Sequence, residues 1–228
     1  MSKIDLYRNV HMGQRARLFT LAIELGAADI TQSGAAAEQA DRCLAMTQEL
    51  RQHADHEDTF IHQLLRERAP EAADALDAEH IRLDAAFGAL DERARALPDT
   101  PIEALPDAQH ALYLALNEMI SAYLAHLHVE ETVAMPALWQ YAGEEELRAV
   151  FTAFRSSRTP EQGLDDLRKM LPALPPASRE AIVRGLVNAD PDQAGHTLTT
   201  VSTTLSPGQR IRLYEDLGVP EVWALQGD

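Results

Sequence analysis

The 228-residue chain holds a single cysteine, Cys43, and aromatics make up only 5% of it. One thiol excludes an intrachain disulfide and any cysteine-held zinc or iron–sulfur centre. Within the apolar Leu44–Met46 region of a helix, Cys43 is expected to serve as a small buried hydrophobe. Scarce aromatics beside abundant Ala and Leu favour helix over sheet. Basic residues are also few: 20 Lys and Arg stand against 36 Asp and Glu, a formal charge of −16. No basic run is present to neutralise phosphates, which argues against nucleic-acid binding. No stretch approaches the roughly 20 apolar residues a membrane span needs. The start, Met-Ser-Lys-Ile-Asp-Leu-Tyr-Arg, has no segment of signal-peptide type, so a cytoplasmic location away from membranes is expected. What remains, 46% hydrophobic and 25% charged residues, is ordinary for a globular protein long enough to bury a full core.

Apolar residues recur at three- and four-residue steps. A first helix is predicted from about Lys3 to Leu25, with Ile4, Tyr7, His11, Gln14, Leu18, Leu21 and Leu25 on its core stripe and Gly26 as its stop. A second runs from about Ala35 to Arg68 with Leu50, His53, Glu57, Phe60 and Leu64 facing the core. A third follows Pro70 and carries Ala73, Leu76, His80, Leu83, Phe87 and Leu90. The segment Pro98 to Pro106 reads as a loop. A fourth helix, about Asp107 to Tyr141, carries Leu116, Met119, Tyr123, His126, Glu130, Val133 and Ala137, with a kink expected at Pro136. Four long helices with short breaks predict an all-α, antiparallel four-helix bundle over residues 1–142. From Gly143 onward, prolines divide the chain into short amphipathic pieces, so residues 143–228 read as a small C-terminal helical extension without a chemical motif.

Two segments write the same motif: His53-Ala-Asp-His-Glu57-Asp-Thr and His126-Leu-His-Val-Glu130-Glu-Thr, 73 residues apart (53 to 126 and 57 to 130). The lone histidines His11 and His80 are 69 apart. The first two helices therefore resemble the last two, as in a duplicated hairpin, and pseudo-two-fold packing would bring four histidines to one level of the core.

Residues at i and i+4 share a helical face, so each His-x-x-x-Glu can present an imidazole and a carboxylate to one centre. Two buried carboxylates without cations would be severely penalised. Four imidazoles and two carboxylates make a two-metal set that suits iron, zinc, copper or nickel. Glu57 and Glu130 are the natural bridges, with His11 and His53 at one ion and His80 and His126 at the other; bundle handedness decides which histidines share an ion. His62 and His128 fall about opposite the core face and are expected to be solvated, and His110 and His196 to lie on the surface. His56, Asp84 and Glu131 flank the stripe, while Asp58 is expected to face water or brace a ligand. Other metal templates fit worse: His56-Glu57 lacks the second histidine of a zinc-protease helix, and the Glu-x-x-His pair of ferritin-like bundles has only Asp77-x-x-His80 as its nearest match.

The set of His11, His53-x-x-x-Glu57, Glu79-His80 and His126-x-x-x-Glu130-Glu131, followed by Met135-Pro136-Ala-Leu, resembles the hemerythrin-like, HHE cation-binding family over about residues 3 to 142. That resemblance implies a four-helix bundle around a non-haem, oxo- or hydroxo-bridged di-iron centre, with His11, His53, Glu57, His80, His126 and Glu130 as metal ligands. Oxygen-carrying hemerythrins have a second histidine one turn after the third-helix one, where this chain has Asp84. Their fourth-helix carboxylate lies five residues after its histidine, whereas the on-stripe choice here is Glu130, at four. The expected function is binding or sensing of oxygen, nitric oxide or iron at two bridged irons, with zinc or another divalent metal as the alternative occupant. The expected partners are a small diatomic ligand or peroxide and a second copy of the chain. No catalytic residue is assigned; the alternative is a di-iron oxidase or peroxidase.

Overall fold

A computed structural model describes residues 3–219, all helical or irregular, with no strand among the described residues. The helices are α1 (Arg8–Ala27), α2 (Ala35–Phe60), α3 (His62–Arg68), α4 (Pro70–Ala96), α5 (Leu105–Val129) and α6 (Met135–Tyr141), followed by α7 (Glu144–Ser156), α8 (Pro160–Met170), α9 (Pro176–Ala189), α10 (Ala194–Ser202) and α11 (Pro207–Leu217). The described parts of the chain divide into two compact units, Met1–Arg8 with Arg17–Phe154, and Asn9–Ala16 with Arg155–Asp228. None of the helices is long and apolar enough to cross a membrane.

The first unit is a helical bundle whose interior has two apolar layers. One gathers Leu18, Leu21 and Leu25 of α1, Cys43, Met46 and Leu50 of α2, Leu83, Phe87 and Leu90 of α4, and Leu116, Met119, Tyr123 and Leu127 of α5. The other gathers Tyr7, Ile61, Leu65, Ala73, Leu76, Ala134, Met135, Leu138 and Leu147. Along the chain the repeated histidines and glutamates lie between residues of these layers, as His53 and Glu57 lie between Leu50 of α2 and Ile61 just after it. Burial pushes the Cys43 thiol up to about 11, in keeping with a packing role.

Several boundaries differ from the sequence reading; Gly26, expected to stop the first helix, lies within it, and α1 ends at Ala27. The first helix starts at Arg8, because the Asp5 carboxylate accepts the Tyr7 and Arg8 amides at 3.1 and 3.0 Å and holds the preceding residues off the helix. The last bundle helix starts at Leu105, since Pro106 fits its first turn without sacrificing a hydrogen bond. The second predicted helix is interrupted at Ile61 (φ −98°, ψ −49°).

The largest difference is shared by both motif-bearing helices. Beyond Glu57 the buried apolar residues are Ile61 and Leu65, whereas Phe60 and Leu64 are half-buried. Beyond Glu130 they are Ala134 and Leu138; Val133, placed on the core stripe by periodicity, is 45% exposed, and Ala137 is half-buried. Each half thus slips by one residue directly after its glutamate. In the second half the slip is a π-turn, Glu130–Ala134, closed by the Met135 amide on the Glu130 carbonyl. One extra residue per turn rotates everything downstream by about 100°. Pro136, with no amide to donate, follows that turn, so the predicted kink takes the form of a π-turn just before it.

A buried carboxylate ties α2 to α4. Asp91 accepts from Thr47 Oγ1 at 2.6 Å, Arg51 Nη1 at 2.9 Å and Arg95 Nη2 at 3.2 Å. In the second unit, Leu171, Leu174, Val183, Leu198, Val201, Leu205, Leu213 and Tyr214 form a small core. Thr159 with Gln162 and Ser206 with Gln209 close capping boxes on α8 and α11. Arg179 is buried and donates to the Leu171 and Leu174 carbonyls at 3.1 and 2.8 Å.

Asp91→Ala is expected to destabilise the fold by about 1–3 kcal/mol, because the charge-assisted bonds from Thr47 and Arg51 that join α2 to α4 are lost, although Thr47 keeps the Leu44 carbonyl as acceptor and the partly exposed guanidinium groups regain water. Chemical denaturation of the variant against the parent measures this.

Candidate metal centre

Glu57 and Glu130 are almost completely enclosed, at 3% and 0% exposure. Each meets the histidine one turn before it: His53 Nε2 lies 2.9 Å from Glu57 Oε1, and His126 Nε2 lies 3.2 Å from Glu130 Oε1. The His-x-x-x-Glu spacing thus produces the face-sharing pairs that helix geometry requires. α4 adds His80, whose ring centroid is 4.8 Å from that of His126. His80, His126 and Glu130 offer ligand atoms that all lie within 4.8 Å of one another. Five of the six residues singled out by sequence are therefore gathered within the first unit. The sixth, His11, is fully buried on α1, one turn after Tyr7 and two before Leu18, in the segment that clusters with the second unit.

His62 corrects the sequence reading. Expected to face water, it is 1% exposed and stacks on His80 with centroids 5.5 Å apart. Its Nδ1 donates to Asp58 Oδ1 at 2.9 Å, and its Nε2 lies 3.8 Å from Glu130 Oε1. The physical reason is the slip at Ile61. Nine residues after His53, at about 100° each, would put His62 half a turn away. Once the enclosed stripe passes through Ile61 and Leu65, His62 lies only about 60° from Leu65. The signal in the sequence was the Asp58-x-x-x-His62 pair, a carboxylate placed one turn before an imidazole.

Two more contributions escaped the sequence reading. Glu79 brings Oε2 to 3.4 Å from His126 Nδ1, on the side of the ring away from Glu130, where its charge favours the protonated imidazole. Tyr7 is fully buried; burial, with the Glu130 and Glu57 charges, holds its phenol well above the usual value. Of the flanking residues, His56 packs edge-on against Phe154 at 5.5 Å, Asp84 is exposed, and Glu131 is half-buried. His128, His110 and His196 are exposed, as expected.

The donor chemistry fits a metal. His62 Nε2 and His80 Nε2 are buried nitrogens without a hydrogen-bond partner, a costly state unless a cation takes their lone pairs. Burial together with the neighbouring His126 and His62 rings pushes the His80 imidazole below its usual pKa, so it is held neutral and ready to ligate. For His126, burial also acts downward, but the hydrogen bond and charge of Glu130, with Glu57 and Glu79, outweigh it and leave the group raised. A cavity of about 190 Å³ opens beside these groups, lined by the polar Arg51, Glu57, Asp58, His80, Asp84 and His126 and by the apolar Leu50, Leu83, Phe87 and Tyr123, among others.

The sequence matches the hemerythrin HHE cation binding domain over residues 2–156. No curated protein and no solved structure gives a significant match.

Only the neutral imidazole ligates, so cation uptake competes with protonation of His126, which Glu130 favours. Because that pKa is raised, affinity is expected to begin falling on acidification above pH 6.5, the ordinary histidine value. In the metal-free protein the sign is opposite: protonated His126 stabilises the fold below its unfolded pKa, and this contribution is lost as pH rises through the folded one. Zinc titrations and metal-free melting curves across the neutral range check the two slopes.

Proposed function

Because the chain belongs to the hemerythrin HHE cation-binding domain family, we propose that it holds a non-haem di-iron site that binds or senses oxygen, nitric oxide or iron. His53, Glu57, His80, His126 and Glu130 would hold the metal, and the resemblance to the family's motif gives the same role to His11. The observation that carries the reading is the enclosure of two carboxylates beside unsatisfied imidazole nitrogens. When bound, two irons supply redox chemistry and open positions for small ligands.

The protein's own residues set the terms of that chemistry. Glu57 and Glu130, one from each half, stand where they can bridge. Asp58 fixes the ring of His62 through its hydrogen bond to Nδ1, and the apolar layers on either side exclude bulk water. The position one turn after His80 is Asp84, exposed at the cavity, which leaves that side of the centre open to solvent-borne ligands rather than closed by an imidazole.

A second reading, an oxidase or peroxidase acting on oxygen or peroxide, is favoured by one observation: the cavity lined by His80 and His126 is lined also by the apolar Leu50, Leu83, Phe87 and Tyr123. Its volume of about 190 Å³ admits a diatomic molecule or peroxide with room for water. A soluble cytoplasmic protein, acting alone or as a homo-oligomer, is the proposed setting.

Elemental analysis with an optical spectrum tests the main proposal: two irons per chain and a bridging charge-transfer band are expected, and one zinc with no band would sink it. Glu57→Ala or Glu130→Ala should lower bound metal at least tenfold relative to the parent. Sustained turnover of peroxide or oxygen, rather than stoichiometric binding, would decide for the enzyme.

A further inference from the structure

The two halves of the bundle are alike in motif but unlike at one buried position. His62 lies 73 residues before Met135, the same offset that relates His53 to His126 and Glu57 to Glu130. Both residues follow the one-residue slip, and both are enclosed, at 1% exposure each. In the second half the position is apolar, and Met135 Sδ accepts the Leu6 amide at 3.4 Å. In the first half it is an imidazole. Its Nδ1 is committed to Asp58, since a carboxylate only accepts, so Nε2 carries the free lone pair. That Nε2 is buried and without a hydrogen-bond partner. His62 offers ligand atoms within 4.8 Å of those of Glu57 and Glu130 in one group, and of Asp58 and His80 in another.

We propose that His62 is a metal ligand of the ion held by His80, His126 and Glu130, supplied from α3 where the third-helix position one turn after His80 carries only Asp84. This inference rests on the metal-site reading above. The halves then hold their ions unequally. The ion beside His80 gains a third imidazole, oriented by Asp58 as metal-bound histidines are oriented by a neighbouring carboxylate. The corresponding position of the other half, Met135, offers no imidazole, and its sulfur accepts the Leu6 amide instead.

The test is stepwise titration of the metal-free protein with cobalt(II), followed by visible absorption and elemental analysis, with proton NMR of the cobalt form. The variants are His62→Met, which installs the residue of the other half and keeps the site filled, and Asp58→Asn, at a partly exposed position. The parent should take up two ions. In His62→Met one of the two should weaken at least tenfold, with loss of one hyperfine-shifted, exchangeable imidazole proton. In Asp58→Asn the same ion should weaken by about 10–100-fold with stoichiometry kept. Unchanged affinity for both ions in both variants, with all shifted imidazole protons retained in a folded His62→Met, would overturn the assignment of His62 alone. A parent that takes up no metal would overturn the proposed function and this inference together. If His62→Met does not fold, Asp58→Asn and the count of shifted protons in the parent, one more with His62 than without, decide the question.

Discussion

Two carboxylates taken out of water in the middle of a helical bundle are the constraint on which the rest of this structure depends. Removing a carboxylate from water costs several kcal/mol even after relaxation, and unpaired it would shift the fold toward unfolding. Glu57 and Glu130 are nevertheless enclosed, and what surrounds them is imidazole: His53 and His126 from the same helices, His80 from α4 and His62 from α3. The apolar layers above and below secure the helices so that these donors converge, and in turn the low polarity of those layers makes the donors' need for a cation sharper. Packing and site chemistry are therefore the same problem in this molecule.

The duplicated hairpin solves it twice, and the second apolar layer records how. After each glutamate the enclosed stripe moves by one position, to Ile61 and Leu65 in one half and to Ala134 and Leu138 in the other. A straight helix keeping three-and-four spacing would carry Phe60, Leu64, Val133 and Ala137 inward instead. The slips are realised differently, as a helix interruption at Ile61 and as a π-turn over Glu130–Ala134, yet they occur at equivalent places. π-turns concentrate at functional positions because they re-aim side chains without ending the helix. Here the slip in the first half carries His62 into the interior, and that in the second carries Met135, so a symmetric backbone event yields an asymmetric donor set.

Much of this was legible before any coordinates. The all-α class followed from composition and period, and membership of the bundle family followed from the doubled His-x-x-x-Glu with its lone histidines. Enclosure of Gln14, Leu18, Leu21 and Leu25 on α1, and of Leu76, Leu83, Phe87 and Leu90 on α4, followed from straight-helix geometry, because those helices run without a break. His62 was not legible by the same rule. Its angular position counts through Ile61, and the period of 3.6 holds only where the hydrogen-bond ladder is continuous. Glu79 was hidden for another reason: its approach to His126 is a contact between α4 and α5, which no spacing within α4 encodes.

The sequence by itself determined that six donors occupy helical faces in two matching sets, since residue spacing dictates what shares a face within an unbroken helix. Only the tertiary structure decided which donors meet and which nitrogen each presents. Those outcomes depend on where a helix slips and on what a neighbouring helix places alongside, as when Asp58 takes one nitrogen of His62 and leaves the other turned toward Glu130. Local periodicity is a property of one chain segment, and convergence is a property of several packed together.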